Sequence, residues 1–395
     1  MAAGVTLWGV RLERSERSAN MALPSVFDNA KVQSVYEFNG ADRLLTPALL
    51  VYPEIVDTNI RATLRMMGGD ANRWRPHIKT AKIPSVIRQM IGHGVRCFKC
   101  ATTLELLAAC EAGADDVLLA FSVTGANARR TIELARQFPE VRVSVLVEAG
   151  EQAAMWKDTE VGVFVDLNPG MNRTGIGQER SADILELTRN AGTAFRGLHY
   201  YDGHAAGGDA AAGYDRLLEI VGTLSAAGYA PGEVITSGTP AAQAALKHTG
   251  LSAGAFQHRI SPGTVVYNDM SSLKQLPGLG YQAAVMVLAT VISHPAPGMF
   301  TCDAGHKSVS ADAGVPTCQV VGHDGFRPMK PSEEHLPVEV DATGLVPEIG
   351  SLIYLMPRHV CPTVNNFDEA VMVAGGEIRG LERVAARGHE SGLRP

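Results

Sequence analysis

The sequence has no apolar run able to cross a bilayer: the longest, AAVMVLATVI at 283–292, stops far short of the ~18–20 residues a spanning helix needs. No membrane span is expected. Clusters of Lys and Arg are also missing, and 35 basic residues stand against 41 acidic ones for a formal charge of −6. Binding to a phosphate backbone depends on such clusters, so a small-molecule partner is expected and a nucleic acid is not. Cysteine is sparse, with six in 395 residues. Three of them, Cys97, Cys100 and Cys110, lie in apolar segments, which suits a reducing cytoplasm better than a disulfide scaffold. Charge at 19% and aromatics at 6% are modest, yet a hydrophobic content of 46% excludes a disordered chain. The first twenty residues lack an apolar core and mix Glu13 and Glu16 among arginines. Residues 1–21 therefore read as a disordered extension rather than a signal or transit peptide, with Met21 an alternative start.

What is present is a repeated alternation of β-rich runs and helical stretches, the pattern of consecutive βα units. The runs are RPHIKTA (75–81), VRCFKCA (95–101), DVLLAFS (116–122), VRVSVLV (141–147), VGVFVDL (161–167), FRGLHYY (195–201), EVITSG (233–238) and HRISPGTVVY (258–267). Helices are predicted between them over 104–112, 126–138, 181–191, 211–227 and 241–247. Eight such units predict an α/β protein built on a (β/α)8 TIM barrel, with reactive groups at the C-terminal strand ends. Each run does turn polar or Gly-rich as it ends, from Lys79 and Lys99 through Ser122, Glu148 and Asn168 to Tyr267. After about residue 282 short strands recur without helices, as in a small antiparallel β domain. The expected division is a barrel over 45–280 and a β domain from 22–44 and 281–395, although TPALLVY at 46–52 could lead into the first barrel helix or join the β domain.

Lys79 ends the first run among apolar neighbours and beside His77. A lysine facing a barrel interior is costly unless paired or used covalently, which makes it a candidate Schiff-base amine for an aldehyde cofactor. By itself it is equally readable as a surface lysine. Lys82, three residues on, is expected to be solvated. DLNPGMNRTGIG (166–177) offers close backbone approach and an arginine, and ITSGTP (235–240) offers small side chains and N–H groups suited to a phosphate. In MPRHVCPTVNNFD (356–368), His359 and Cys361 at i,i+2 would share one face of a strand, and imidazole plus thiolate suit Zn²⁺ first. An isolated H-x-C is also readable as a hydrogen-bonded loop histidine and a buried small residue. Cys97-x-x-Cys100 reads as packing, and Lys307, outside the barrel, as structural.

Taken in order, RPHIKTAK, FKCAT, GMNRTGIG, YYDGH, SGTP, SPGTVVYND and the late H-x-C resemble the fold type III pyridoxal-phosphate enzymes, an alanine racemase-like barrel group. More narrowly they resemble the D-serine dehydratase and D-threonine aldolase family, from about residue 45 to about 373. The resemblance implies that Lys79 carries pyridoxal 5'-phosphate (PLP). It gives Ser237, Gly238 and Thr239 the phosphate, and Arg173 the phenolic oxygen or a substrate carboxylate. Tyr201 and Tyr267 would line the cofactor pocket, with His77 and His204 in the substrate pocket. His359 and Cys361 become ligands of a divalent metal, Zn²⁺ first and Mn²⁺ or Mg²⁺ as alternatives. Glu334 and His335 resemble a family segment near the metal, with Leu336 where Gly is usual.

The implied activity is a PLP- and metal-dependent lyase on D-β-hydroxy-α-amino acids. Cys361 leans it towards a dehydratase releasing a 2-oxo acid and ammonia. The alternative is an aldolase giving glycine and an aldehyde; more distant readings are an amino-acid racemase using Tyr354 and a non-catalytic PLP carrier. The resemblance also implies a homodimer.

Overall fold

The computed structural model describes residues 35–203, 208–342 and 344–392. The chain enters through β1 (Ala48–Val51) and passes into α1 (Pro53–Met66). Pro53 suits the first helical turn because its φ is preset and its missing N–H would be unpaired there anyway. Ile55, Val56, Asn59, Ile60, Ala62 and Thr63 form the buried face of α1, as a 3.6-residue period requires.

A parallel sheet follows: β2 (Cys97–Cys100), β3 (Asp116–Leu119), β4 (Arg142–Val147), β5 (Gly162–Asn168), a two-residue β6 (Ile176–Gly177) on β5, then β7 (Phe195–Tyr200), β8 (Glu233–Thr236) and β9 (Gln257–Ile260). Helices alternate with these strands: α2 (Pro84–Gly92), α3 (Thr103–Ala112), α4 (Gly125–Gln137), α5 (Gly150–Trp156), α6 (Ser181–Ala191), α7 (Gly208–Ala226), α8 (Ala242–Lys247) and α9 (Thr249–Ala253). Helix α3 shows why the boundaries were legible. The Thr102 side chain accepts from Glu105 N–H at its start, and Gly113 at φ 94° ends it.

The first predicted barrel strand, RPHIKTA, is not a regular strand. Pro76 has no N–H to give to a ladder, and the segment joins its neighbours only by bridges, Trp74 to Ile260 and His77 to Lys99. Arg75 N–H reaches Ile260 O at 2.9 Å and Ile78 N–H reaches Lys99 O at 2.8 Å. These contacts connect the two ends of the parallel sheet, β2 and β9, and close the ring.

The second sheet contains β10 (Val285–Ser293), β11 (Met299–Cys302), β12 (Cys318–Val320), β13 (Phe326–Pro328), β14 (Leu336–Val340), β15 (Leu352–Pro357), β16 (Glu369–Ala374) and β17 (Glu377–Arg383). Its order is β13-β14-β11-β10-β1-β16-β17, with β15 also on β10 and β12 on β15. Strand β1 pairs antiparallel with β10 and parallel with β16. The expected boundary at residue 45 is thus corrected: TPALLVY supplies a central strand of the β domain, and the barrel begins after it. Two short helices, α10 (Met270–Gln275) and α11 (Val360–Asn365), lie between the domains in sequence and within the β domain respectively. Residues 1–21, expected to be disordered, lie outside the described residues, as does most of 22–44. All six cysteines are buried and free.

Inside the barrel, side chains alternate inward every second residue. Leu118, Leu146, Phe164 and Ile235 make an apolar cluster separate from the outer core. Two residues towards the N-terminal ends of these strands lies an ionic floor. Arg75, fully buried, pairs through Nε with Glu233 at 2.7 Å and through Nη1 with Asp116 at 2.8 Å. Arg142 reaches Asp116 at 2.8 Å and Arg259 reaches Glu233 at 2.5 Å. Two residues towards the C-terminal ends lies the mouth.

Candidate active site

At the mouth the turn over residues 78–82 is buried except at one position. Ile78 and Thr80 are 0% exposed, Ala81 1% and Lys82 6%, while Lys79 is exposed. Lys82 is therefore not the solvated residue expected. Its Nζ pairs with Glu105 at 2.7 Å and with Ala386 O at 3.2 Å, because a φ of 49° turns it back into the protein. Lys79 alone projects freely from a clamped turn, with its N–H towards His77 Nδ1 at 3.3 Å. Burial, with the charges of Lys79 and Lys99, holds half-buried His77 well below the usual imidazole range.

Below Lys79, the strand period turns Lys99, Asp166 and His199 inward. Lys99 Nζ lies 3.2 Å from His199 Nε2, and His199 Nδ1 lies 2.7 Å from Asp166. Burial, with Lys79 nearby, lowers the Lys99 ammonium to about 7. Its Nζ is 5.3 Å from the centre of the Tyr201 ring, and the Arg173 guanidinium is 4.8 Å from the same centre, distances at which a cation is attracted to the ring. Arg173 rides on the 168–177 loop. There Asn168 Oδ1 accepts from Gly170 and Asn172 N–H at 3.0 and 3.1 Å, and Glu148 accepts from Gly175 N–H.

Strands β8 and β9 end in a row of hydroxyls. Ser237 Oγ and Ser261 Oγ are buried without a hydrogen-bond partner among the described residues, and Ser261 N–H is bonded to Thr236 O at 3.1 Å, so the two serines stand side by side. A buried hydroxyl without a partner carries a desolvation cost, and Ser237 also has a φ of 56°, a conformation costly for a residue with Cβ. Lys82, Asn172, Ser237 and Asn268, the non-glycine positions with positive φ among the described residues, all border this region. A Cβ on Gly238 would stand 3.0 Å from the Tyr201 ring, and one on Gly263 would fall 2.2 Å from His77 O. Orphaned hydroxyls, close glycine turns and an accessible lysine fit a phosphorylated aldehyde. Thr239 is buried beside them, and Tyr267, also buried, gives its hydroxyl to Ala81 O at 2.8 Å and so braces the lysine turn.

The predicted metal pair reaches the same turn from the β domain. His359 is the N-cap of α11 and Cys361 lies in its first turn. The expected shared face of a strand is thereby replaced by the start of a helix, which Asp269 holds through a 2.9 Å bond from Val360 N–H. His359 Nδ1 meets Asp312 at 2.6 Å. A hydrogen bond to Cys361 comes first among the influences that raise His359 to about 9. Burial pushes the Cys361 thiol up, but His359, Lys79 and Thr80 outweigh it, and the net shift is downward. Thr80 Oγ1 is 2.9 Å from the Cys361 sulfur and Thr264 Oγ1 is 3.6 Å from it. A thiolate-prone sulfur beside an imidazole fits a borderline-soft cation. No group of three His, Cys, Asp or Glu stands together among the described residues, so positions for water or substrate would stay open.

The structure thus gathers Lys79, His77, Arg173, Tyr201, Ser237, Gly238, Thr239, Tyr267, His359 and Cys361 around the mouth. His204 lies outside the described residues. Lys307 is exposed and paired with Glu333 and Glu334, and His335 bonds with Ser332. Sequence reasoning missed Thr80, Asp166, His199, Ser261 and Asp312, and treated Lys99 only as a polar strand end. The available signal was the period-two pattern, which puts Lys99 and His199 on the interior face of their strands.

Residues 53–270 match the family model "Alanine racemase, N-terminal domain", and residues 284–373 match "Putative serine dehydratase domain". The D-threonine aldolase of Arthrobacter sp is 28% identical over 374 residues, 88% of this chain and 93% of that one. The D-threo-3-hydroxyaspartate dehydratase of Delftia sp. (strain HT23) is 24% identical over 375 residues, 86% of this chain and 97% of that one. A mutant of a D-threo-3-hydroxyaspartate dehydratase solved in a metal-free form superposes with a TM-score of 0.72 at 21% identity, covering 89% of this chain and 99% of that one. The crystal structure of D-threonine aldolase from Filomicrobium marinum gives a TM-score of 0.78 at 24% identity, covering 88% of this chain and 97% of that one.

Proposed function

We infer from this chain's place in the alanine racemase N-terminal domain family, to which it belongs through residues 53–270, that it is a PLP- and divalent-metal-dependent lyase of fold type III acting on D-β-hydroxy-α-amino acids. One observation carries this reading. Thr80, next to the exposed Lys79, bonds to Cys361 at 2.9 Å, which supports reading the candidate cofactor lysine and the His359–Cys361 pair as parts of one site in one chain.

When bound, PLP supplies an electron sink for bond cleavage at the substrate Cα, and the metal supplies a Lewis acid for the β-hydroxyl. Lys79 would hold the cofactor, and its amine would be placed to move the α-proton. Ser237, Gly238 and Thr239 would hold the phosphate. Arg173, stacked on Tyr201, would hold the phenolic oxygen or the substrate carboxylate. His359 and Cys361 would hold the metal, Zn²⁺ by preference for this donor set. Asp312 orients the His359 ring, as carboxylates commonly do for metal-bound histidines.

We favour dehydration, with removal of the α-proton and departure of the β-hydroxyl, because the dehydratases this chain resembles pair His with Cys at the metal, as His359 and Cys361 would here, whereas the aldolases often pair His with Asp. The second reading is aldol cleavage, supported by the likeness to the Arthrobacter D-threonine aldolase. A racemase reading needs an opposing base. Tyr354, its candidate, is buried edge-on against Phe38 and pushed up by burial to about 12. Product analysis tests the proposal: a 2-oxo acid plus ammonia from D-serine or a 3-hydroxy-D-amino acid, abolished by chelation and restored by Zn²⁺, is expected. Glycine and an aldehyde as sole products overturn dehydration, and turnover that resists chelation overturns the metal role. A cytoplasmic homodimer is proposed on the family resemblance and the buried free thiols, with sedimentation as its check.

A further inference from the structure

The turn that presents Lys79 is tied on every side. Ile78 N–H binds Lys99 O at 2.8 Å, Ala81 O accepts from Tyr267 at 2.8 Å, and Lys82 pairs with Glu105 at 2.7 Å while its carbonyl accepts from Ala386 N–H at 3.2 Å. Gly263 packs so closely on His77 that a Cβ would meet its carbonyl oxygen at 2.2 Å. Within this clamp the Thr80 hydroxyl is fully buried, and Cys361 Sγ is 2.9 Å away. Thr264, directly after Gly263, touches the same sulfur at 3.6 Å. The sulfur therefore sits where the lysine turn, the turn after β9 and the β domain meet.

We propose that Thr80 is a positioning residue that couples the two halves of the site: by donating to the Cys361 sulfur, it links metal occupancy at His359 and Cys361 to the placement of Lys79. The inference rests on the cofactor and metal assignments made above. The Thr80 bond holds the Cys361 sulfur in place for the cation, and a cation bound there fixes the sulfur and, through it, Thr80, so metal occupancy and turn placement favour one another. The neighbouring contacts leave the turn little slack, so a change at Thr80 is passed to the adjacent residue. Linkage makes the effect reciprocal: whatever factor the metal imposes on PLP affinity, PLP imposes on metal affinity. Thr264 makes the longer of the two hydroxyl bonds to the sulfur, at 3.6 Å against 2.9 Å for Thr80.

The test uses full-length protein with and without PLP, titrated with Zn²⁺ against a competing chelator while the cofactor absorption band is recorded, in the absence of substrate. Wild type is expected to show a Zn²⁺ affinity that differs at least ~5-fold between the two forms, and a cofactor band that moves on chelation. Thr80→Val, close in shape, is expected to lower Zn²⁺ affinity ~10-fold and to remove both the difference and the band shift. Thr80→Ser, which keeps the hydroxyl, is expected to restore them and serves as the folding control. Unchanged affinity and coupling in Thr80→Val overturn the inference, as does a wild type that binds one Zn²⁺ per chain with equal affinity in both forms; either result leaves the metal assignment standing. A wild type that binds no Zn²⁺ overturns both.

Discussion

The floor and the mouth of the barrel both bury charge, and they treat it differently. At the floor, each oxygen of Asp116 and Glu233 is paired with an arginine. Burial raises the Asp116 carboxyl, but Arg75 and Arg142 outweigh it and bring it down to about 2, so the floor stays ionised. At the mouth, the Lys99 ammonium has His199 as its one hydrogen-bond partner among the described residues, and burial brings it down to about 7. Ser237 and Ser261 hold hydroxyls with no partner among the described residues. Charge that is fully paired serves ring closure. Polar groups kept buried and incompletely paired carry a cost that a ligand can relieve, and Lys99, Ser237 and Ser261 stand together at the C-terminal ends of their strands.

The sharpest way to break this contrast is Lys79→Ala, which is expected to abolish turnover by more than ~10³-fold while leaving the unfolding midpoint unchanged, since Lys79 is the one exposed side chain of its turn. A lowered midpoint would show that the mouth lysine has a structural role as well. At the floor, Arg75→Met leaves two buried carboxylates short of their counter-charge and is expected to cost about 3–5 kcal/mol, read from denaturant unfolding at pH 7. Because the Asp116 pKa is depressed in the fold, its contribution is present above about 3.9 and lost as pH falls through about 2. A urea midpoint indifferent to pH across that window would remove the floor from the account of stability.

Lys99→Met tests the opposite sign. A lysine lowered to about 7 in the fold, against about 10.4 when unfolded, binds its proton more weakly in the native state. The penalty on folding is full below pH 7 and fades as pH approaches about 10. The variant is expected to melt above wild type at pH 7 and level with it near pH 10; melting below wild type at pH 7 would make Lys99 a structural partner like Arg75. Lys307→Ala should give the smallest effect, with midpoint and Zn²⁺ affinity both unchanged, because its ion pairs are solvated. A loss of metal affinity there would extend the site into the β domain.

Much of this was legible in the residues. Strand and helix spans followed from periodicity and from stops such as Gly113, and Lys79, Ser237, His359 and Cys361 stood in recognisable strings. The errors have local causes. RPHIKTA looks like a strand by composition, but Pro76 cannot donate to a ladder, so the segment closes the ring through bridges. Lys82 looked solvated because its partners, Glu105 and Ala386, are distant in sequence. The i,i+2 spacing of His359 and Cys361 suggested a strand, whereas Asp269, some ninety residues earlier, caps a helix there. TPALLVY carried a strand pattern with nothing local to say which sheet it would enter.

By itself the sequence determined the period of each element, the order of βα units and the kinds of donor available at each strand end, because these depend on neighbours within a few residues. Only the tertiary structure decided which donors meet. It set the Cys361 sulfur against Thr80, 281 residues away, joined Lys99 to His199 across 100 residues, and divided the buried charges into a paired floor and an unfinished mouth. Pairing energies between groups so far apart in the chain exist only once the ring has closed.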